Sequence, residues 1–315
     1  MAAITTSFSI PCGRRPASSA DGNVSSLRSA PLQYAALAFW VLAALAGTPA
    51  RAADAKPETL AAFHRYIAAT EAQRSDDLRS DRFLFIDRLP DENRRQAYEQ
   101  LKQGEVYIEE LHTEEDHHPI AIPSGLVHHW AGIAFIPNGT IARVKAVLQD
   151  YDHQAEIYGP NVRKARLIEQ EGDQAKIFEQ FYSKSIITVV LNAYFDVAQT
   201  PIDSARAESV SRSTRILEVA DFGSPSEHER TDGKDHGYMW RLNSYWRLQE
   251  KDGGVYVQNE SISLSRTVPV LLAWIVNPLT KSIPHDVLSR TLLNTRKAVL
   301  AAAAPKPESA DPRPR

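Results

Sequence analysis

Histidines and carboxylates crowd one short stretch of the sequence, which makes it the first place to look for metal or acid–base chemistry. From His112 to His118 the chain reads HTEEDHH, and two further histidines follow at 128 and 129. A metal site needs ligands at a defined spacing on a rigid frame, and neither HExxH nor a comparable spacing occurs. We therefore interpret the stretch as a solvated acidic loop and predict no metal site. His128 and His129 fall on opposite faces of a strand, so only one can face a cavity, and we favour His128, which shares its face with Trp130.

A second candidate for acid–base chemistry is His236, which follows Asp235 and precedes Tyr238 and Trp240. A carboxylate can orient an imidazole for proton transfer, but side chains of adjacent residues rarely bond to each other. The sequence contains no GxSxG-type nucleophile and no glycine-rich phosphate loop. We assign no catalytic residue and interpret these polar groups as hydrogen-bonding partners and ligand anchors.

Glu260 is the third candidate, because it shares the phase of Tyr256 and Ile262 in a predicted strand and can point inward. A buried carboxylate must be paired or hydrogen-bonded, or else it selects a ligand with a polar head. A cross-strand ion pair with Arg247 on the neighbouring strand is the alternative that we favour.

Charge and cysteine content exclude several classes of function. The 315 residues carry 36 Lys and Arg against 39 Asp and Glu, for a net charge of −3. A protein that binds the phosphate backbone needs the opposite sign, so we predict no nucleic-acid partner. Cys12 is the only cysteine, and it lies in a segment that we expect to be removed. Cysteine nucleophiles and thiolate metal sites are therefore excluded, and no cofactor is predicted.

The N-terminal 52 residues have the pattern of a secretory signal peptide. Residues 35–46 read AALAFWVLAALA, after a stretch with three arginines and before Ala50-Arg51-Ala52. This pattern predicts cleavage before Ala53 and an exported protein, periplasmic or secreted. The apolar run is shorter than the roughly 20 residues that span a bilayer, which disfavours a retained anchor.

The remaining sequence predicts a helical extension at 53–103, a main domain at 104–302 and a disordered tail at 303–315. Helices are predicted at 57–79 and 91–102, and a helix after Thr140 and another at 151–158 interrupt the strands. The first strands are predicted at 104–111 and 125–137. Six further strands with short turns indicate an antiparallel meander; they are predicted at 162–171, 174–182, 186–198, 206–220, 237–249 and 255–266. The apolar segment 268–280 is broken at Asn277-Pro278, and Pro284 opens a long final helix.

Two stretches carry a resemblance to a known superfamily. The first is GIAFIPNGTIARVKAVLQDYDHQAEIYGPNVRKARLIEQ, and the second is YWRLQEKDGGVYVQNESISLSR with the Trp-containing helix that follows. Together with the element order, they resemble the bacterial members of the START-like and polyketide-cyclase superfamily over residues 126–300. The resemblance implies an α+β helix-grip fold, in which a curved antiparallel sheet of about six to seven strands wraps around a long C-terminal helix. In that superfamily the sheet and helix enclose a cavity for an apolar ligand such as a lipid, sterol or polyketide.

The alternation of apolar residues predicts which side chains line such a cavity. A sheet with one apolar face must cover it, and the C-terminal helix is the available cover. The predicted lining residues are His128, Trp130, Ile187, Val189, Leu191, Phe195, Tyr238, Trp240, Leu242, Trp246, Glu260 and Trp274.

Three hypotheses for function follow from the sequence. The first, which we favour, is an exported protein that binds an apolar or amphipathic, lipid-like small molecule in this cavity. The second is a cyclase- or hydrolase-like enzyme that uses His128, His236 or Glu260 in the same cavity. The third is a non-catalytic envelope protein whose leading helices bind an unknown partner. Residues 268–280 could also touch a membrane surface when the cavity opens, although a core or lid role is the simpler interpretation.

Overall fold

The computed structural model describes residues 55–184, 187–231 and 234–267, and a final helix with side chains described at 283–302. The predicted signal peptide and most of the predicted tail lie outside these residues, as does the side chain of Trp274. The helices are α1 Pro57–Arg79, α2 Asp91–Lys102, α3 Ile141–Leu148, α4 Gln154–Tyr158 and α5 Ala273–Ala303, with 3-10 turns at Phe85–Arg88 and Tyr151–His153.

The first two helices have the predicted bounds, and local sequence explains why. Pro57 occupies the first turn of α1, where a missing N–H costs no hydrogen bond. Phe63, Tyr66 and Ile67 recur on one side of this helix and are buried. The hydroxyl of Thr140 accepts a hydrogen bond from the backbone N–H of Arg143 at 3.3 Å, which caps α3 as predicted.

The strands follow the predicted meander, with bounds shifted by one to four residues in five strands and with three short additions. The bounds are β1 Val106–Glu110, β2 Glu114–Glu115, β3 His118–Pro119, β4 Gly125–Pro137, β5 Val162–Glu171, β6 Gln174–Lys184, β7 Thr188–Pro201, β8 Arg206–Ala220, β9 His228–Glu229, β10 Arg241–Lys251 and β11 Gly254–Arg266. The acidic stretch around residue 115 was predicted to be a loop, but it forms the small β2–β3 hairpin. Strand β7 begins after Ile187 and β10 after Trp240, so those residues and Tyr238 lie outside the strands in which they were predicted.

One curved antiparallel sheet organises the domain. Its strand order is β1-β4-β11-β10-β8-β7-β6-β5, with β9 paired to β8, which makes nine strands rather than the predicted six to seven. The backbone of α5 is helical from Ala273, so the predicted break at Asn277-Pro278 and the predicted start at Pro284 are wrong. The curved antiparallel sheet with a long C-terminal helix confirms the predicted helix-grip class.

Helices cover both faces of the sheet, and we name the faces by their cover. The inner face carries Trp130, Ala134, Leu248 and Val257, which form one cluster with Leu292 and neighbouring residues of α5. A Cβ on Gly132 would lie 2.8 Å from the Leu292 side chain, so this glycine allows α5 to approach β4 closely.

The outer face is covered by the helical extension. Ala131, Ile133 and Phe135 of β4 pack with Phe83 and Leu101 and their neighbours. Farther along the sheet, residues of α1 pack with Tyr245, Ile262 and Leu264, which belong to the outer face. The apolar side of the extension is therefore used within the chain.

Candidate functional site

The inner face carries a second apolar cluster on strands β6 and β7. Leu191, Ala193, Phe195 and Val197 of β7 alternate with outward residues and pack with Tyr151 of the second 3-10 turn. Val189, Leu242 and other partly buried side chains border this cluster. The strand register shows that this cluster and the residues under α5 belong to the same face of the sheet. Val197 on β7 is opposite Ser211 on β8, and Ser211 is opposite Ser244 on β10.

A row of hydroxyl groups crosses the middle of the same face. Ser211, Ser244 and Ser261 are directly opposite one another on β8, β10 and β11, and Ser261 is opposite Trp130 on β4. The Asn259 amide donates to the hydroxyl of Ser244 at 2.8 Å. Apolar and hydrogen-bonding surfaces therefore lie side by side on the inner face, as an amphipathic ligand requires.

Several residues of the inner face remain partly accessible to solvent. The apolar side chains of Phe181, Leu242 and Trp246 on this face are half-buried. The row serines are half-buried as well. A close-packed core leaves few voids larger than a water molecule, so these side chains are not fully packed. We call the solvent-accessible space beside them the hollow.

Glu179 is the main charged group of this hollow, and it was not among the predicted site residues. It lies on β6, opposite Ala165 on β5 and Ala193 on β7, so it shares the inner face with Ala193. Burial raises the pKa of its carboxyl to about 7. The sequence did contain a signal, since Glu179 interrupts the apolar phase of Ala175, Ile177 and Phe181.

Two buried phenols lie near this carboxylate. The Tyr158 hydroxyl donates to Thr295 of α5 at 3.1 Å, since Thr295 itself donates to a carbonyl of its own helix. Burial, with a contribution from the charge of Glu179, raises the pKa of Tyr158 to about 12. Burial and the same charge raise the pKa of Tyr151, against a hydrogen bond with Gln199. Both phenols therefore stay neutral at physiological pH.

Trp130 and His128 lie toward the other end of the inner face. The indole N–H of Trp130 is buried and has no hydrogen-bond partner within the described structure, and its ring lies 6.2 Å from that of His285. His128 Nε2 is 3.2 Å from the hydroxyl of Ser265. Burial lowers the pKa of His128, although the nearby Glu110 acts in the opposite direction. His128 is thus on the same face as Trp130.

His236 has a carboxylate partner, but it is Glu218 rather than the adjacent Asp235. Glu218 Oε2 is 2.6 Å from His236 Nδ1, and its other oxygen accepts from the backbone N–H groups of His236 and Tyr238. Glu218 is opposite Leu191 in the sheet, so the pair lies at an end of the inner face. The His236 side chain is 39% exposed, which leaves the imidazole accessible. The pairing could not be read from the sequence, because 18 residues separate the partners.

Glu260 lies on the outer face, and its prediction as a cavity residue is wrong. It is opposite Ala131 on β4 and Tyr245 on β10, both of which face the helical extension. Its carboxylate is buried between Arg74 of α1 and the imidazole of His129, whose Nε2 lies 3.0 Å away. Burial alone would raise the pKa of Glu260, but these neighbours outweigh it and lower the pKa.

The buried cluster around Arg74 is satisfied throughout. Arg74 also contacts Glu208, which accepts from Arg247 Nε at 3.2 Å, so Arg247 pairs with Glu208 instead of the predicted Glu260. Tyr66 accepts from the backbone N–H of residue 113, and its hydroxyl lies 3.0 Å from His129 Nδ1. An ionised carboxylate can only accept, so His129 Nε2 donates to Glu260.

The remaining predicted site residues divide between several places. Val189, Leu191, Phe195 and Leu242 belong to the β6–β7 cluster, and Trp246 packs on the cluster under α5. Three others do not reach the hollow: Trp240 packs with α1 on the outer side, Ile187 is 52% exposed, and Tyr238 stacks on His236 at the surface with 40% exposure.

Neither metal ligation nor a membrane span is found in the described structure. No group of three or more His, Cys, Asp or Glu side chains in the described ranges is arranged to hold a metal ion. His117 and His118 of the acidic stretch are exposed. Among the described residues, no helix combines the length and the apolar character needed to cross a membrane.

Comparison with known proteins gives matches to solved structures alone. No family model and no curated protein matches the chain. Human STARD10 is similar at 11% identity and a TM-score of 0.40, covering 69% of this chain and 82% of its own. A STAR-related lipid transfer protein from Xanthomonas axonopodis is similar at 14% identity and a TM-score of 0.37, covering 58% and 94%.

A third similar structure is the Zhui aromatase/cyclase from Streptomyces, at 14% identity and a TM-score of 0.36, covering 56% of this chain and 94% of its own. Identities and TM-scores this low carry no information on what this chain binds. Its own strand order and C-terminal helix define a helix-grip fold.

Proposed function

We propose that this chain binds an apolar or amphipathic, lipid-like small molecule in the hollow between the inner face and α5. The observation that carries the proposal is the partial exposure of three apolar inner-face side chains, Phe181 and Trp246 within their strands and Leu242 near the start of β10. The serine row beside them supplies hydrogen-bonding groups for a polar part of the ligand. Ligand sites with an apolar lining and a few convergent polar groups have this composition.

Filling the hollow tests the proposal. Ser211 lies on the inner face and is half-buried, whereas Thr214 on the same strand is exposed. We expect wild type and Thr214→Phe to bind the neutral probe N-phenyl-1-naphthylamine and a fluorescent sterol. Ser211→Phe should weaken both at least about tenfold, since its ring occupies the ligand volume. Equal binding by the two variants, or none by the wild type, contradicts the proposal.

A second candidate function is cyclase- or hydrolase-like catalysis at the same face. The pair of Glu218 and His236 supports it, because a carboxylate at Nδ1 holds the imidazole with Nε2 available as a base. Glu260 drops out of this hypothesis, since it is enclosed on the outer face. Turnover of a panel of ester and polyketide-like substrates by wild type, abolished in His236→Gln, is the expected result. Activity that is unchanged in this variant would remove the candidate.

We further propose export and processing before Ala53, based on the charged and apolar pattern of the leader. N-terminal sequencing of protein recovered from a bacterial periplasm should begin at Ala53, and an intact leader would contradict this.

Contact of residues 268–280 with a membrane surface is proposed on their apolar sequence alone. Sedimentation with lipid vesicles, reduced in a Trp274→Glu variant, is the expected outcome.

A further inference from the structure

Glu179 is an acid without a partner in an enclosed place. The described structure gives its carboxylate no hydrogen bond and no ion pair, while an ordinary glutamate on an exposed strand, Glu169, has the Lys176 ammonium at 2.6 Å. Unpaired carboxylates are rarely left away from bulk water, because the charged form loses its solvation. A ligand that supplies the missing partner would offset this cost.

The surroundings of Glu179 leave space beside the carboxylate. The residues opposite it on the two neighbouring strands are Ala165 and Ala193, whose side chains end at Cβ. Leu167, Ile177 and other members of the β6–β7 cluster border the site, so its walls are apolar. The titratable groups that sense its charge are the phenols of Tyr151 and Tyr158, which are neutral at physiological pH. Among the side chains that the structure describes, no base is positioned to neutralise the acid.

Accessibility and enclosure occur together at this position. The Glu179 side chain is half-buried and so reachable by a molecule the size of water. Yet protein surrounds it closely enough that burial alone raises the pKa of its carboxyl to about 7. Partial exposure of the side chain and a pKa raised by burial are together expected of a carboxylate that lines a hollow open to solvent.

Other inner-face acids have partners within the chain. Glu250, near the end of β10, accepts from the backbone N–H of Ile141 at 2.7 Å. Glu218 is hydrogen-bonded to His236, and Arg230 Nε lies 3.8 Å from it. Glu110 acts electrostatically on His128. Glu179 is therefore the inner-face acid to which the described structure gives neither a hydrogen bond nor an ion pair.

We propose that Glu179 binds the cationic amine head of an amphipathic ligand whose apolar part lies along Leu191, Phe195 and the neighbouring cluster. The inference rests on the proposed function, and it adds the chemical class of the head group. An ammonium group donates up to three hydrogen bonds and carries the compensating charge, so it keeps the carboxylate ionised. An alcohol offers a single neutral donor, and a fatty-acid carboxylate would be repelled.

Competition between ligands of one chain length tests the head group. N-phenyl-1-naphthylamine is displaced at pH 8 by dodecylamine, dodecan-1-ol or dodecanoic acid, each below its micelle concentration. The wild type should bind the amine at least about tenfold more tightly than the alcohol, because a hydrogen bond to a charged group is worth a factor of ten or more. Dodecanoic acid should bind more weakly than the alcohol.

Two variants separate the local carboxylate from net charge. Glu179→Gln should lower the amine affinity to that of the alcohol while changing alcohol affinity less than about threefold. The matched control is Glu171→Gln, an exposed glutamate on β5, which should retain the wild-type preference. A wild type without amine preference, or a Glu179→Gln variant that keeps it, overturns the inference and leaves the proposed function intact. Failure of all three ligands and the probe to bind overturns the proposed function itself.

Discussion

Two glutamates on opposite faces of one sheet meet opposite conditions. Glu260 on the outer face lies between Arg74 and His129, and its pKa is lowered even though burial acts against ionisation. Glu179 on the inner face has no cation among the described side chains, and burial raises its pKa to about 7. The two sites differ in what the chain supplies, since the helical extension provides partners for the outer face alone.

This contrast separates a structural site from a binding site. A buried ion pair is tolerated when hydrogen bonds satisfy both partners, and its loss leaves an uncompensated charge. The outer cluster meets that condition through Tyr66, Glu208 and Arg247. The inner carboxylate is held at a cost to stability, and such perturbed groups in clefts are candidates for function.

The largest expected effect is on the outer face. Arg74→Met should lower the free energy of unfolding by about 3–5 kcal/mol, because it removes the cation shared by the buried Glu260 and the partly buried Glu208. Urea unfolding at pH 7 measures the change. In the double variant with Glu260→Gln the loss should be smaller than in Arg74→Met alone, since one stranded charge is removed. A loss below about 1 kcal/mol in the single variant would show that the cluster is not structural.

An intermediate effect of opposite sign is expected on the inner face. A carboxyl whose pKa rises from 4.5 in the unfolded chain to about 7 in the folded chain favours folding when protonated. That contribution is complete below pH 4.5 and is lost as the pH rises through 7. Glu179→Gln should therefore stabilise the chain by about 1–3 kcal/mol at pH 8, a figure reduced for partial exposure, and change it little at pH 4.5.

The pH dependence is what distinguishes this prediction from a simple packing effect. Urea unfolding of wild type and Glu179→Gln at pH 4.5, 6 and 8 should show a difference that grows with pH. A difference that is constant over this range would contradict the account of Glu179 as an unpaired acid.

The smallest effect is expected for an ion pair on the surface of the same helix as Arg74. Arg79 pairs with Asp76 three residues earlier, and both side chains are more than 60% exposed. Arg79→Ala should change the free energy of unfolding by less than about 0.5 kcal/mol, because solvent screens the pair. Urea unfolding beside Arg74→Met makes the comparison direct. A loss in Arg79→Ala as large as that in Arg74→Met would show that burial does not set the outer-face energetics.

Much of the fold could be predicted from local patterns. Gly172-Asp173 and Asp252-Gly253 marked turns between alternating strands, and the bounds of β4, β5 and β8 were predicted to the residue. Errors arose where local signals compete with tertiary context. Asn277-Pro278 suggested a break, but the helix continues through it. Long-range pairing also added β9, which is too short to carry a periodic signal.

The site was less predictable from sequence, because its composition depends on which face of the sheet each helix covers. Leu242 and Trp246 fell on the inner face as the alternation indicated, but Trp240 precedes β10 and packs with α1 instead. The place of Glu260 could not be predicted, because its partner Arg74 lies 186 residues away in the sequence. Glu179 could have been found, since a lone charge in an apolar phase is visible in sequence.

The most direct test of the account is the titration of Glu179 itself, followed by carbon-13 NMR of the labelled glutamate carboxyls. The resonance that disappears in Glu179→Gln should titrate near pH 7 in the free protein. Saturating dodecylamine should shift its midpoint well below that value, since the ammonium favours the ionised form. A midpoint at the ordinary glutamate value that the amine does not change would contradict an enclosed, unpaired carboxylate in a ligand-binding hollow.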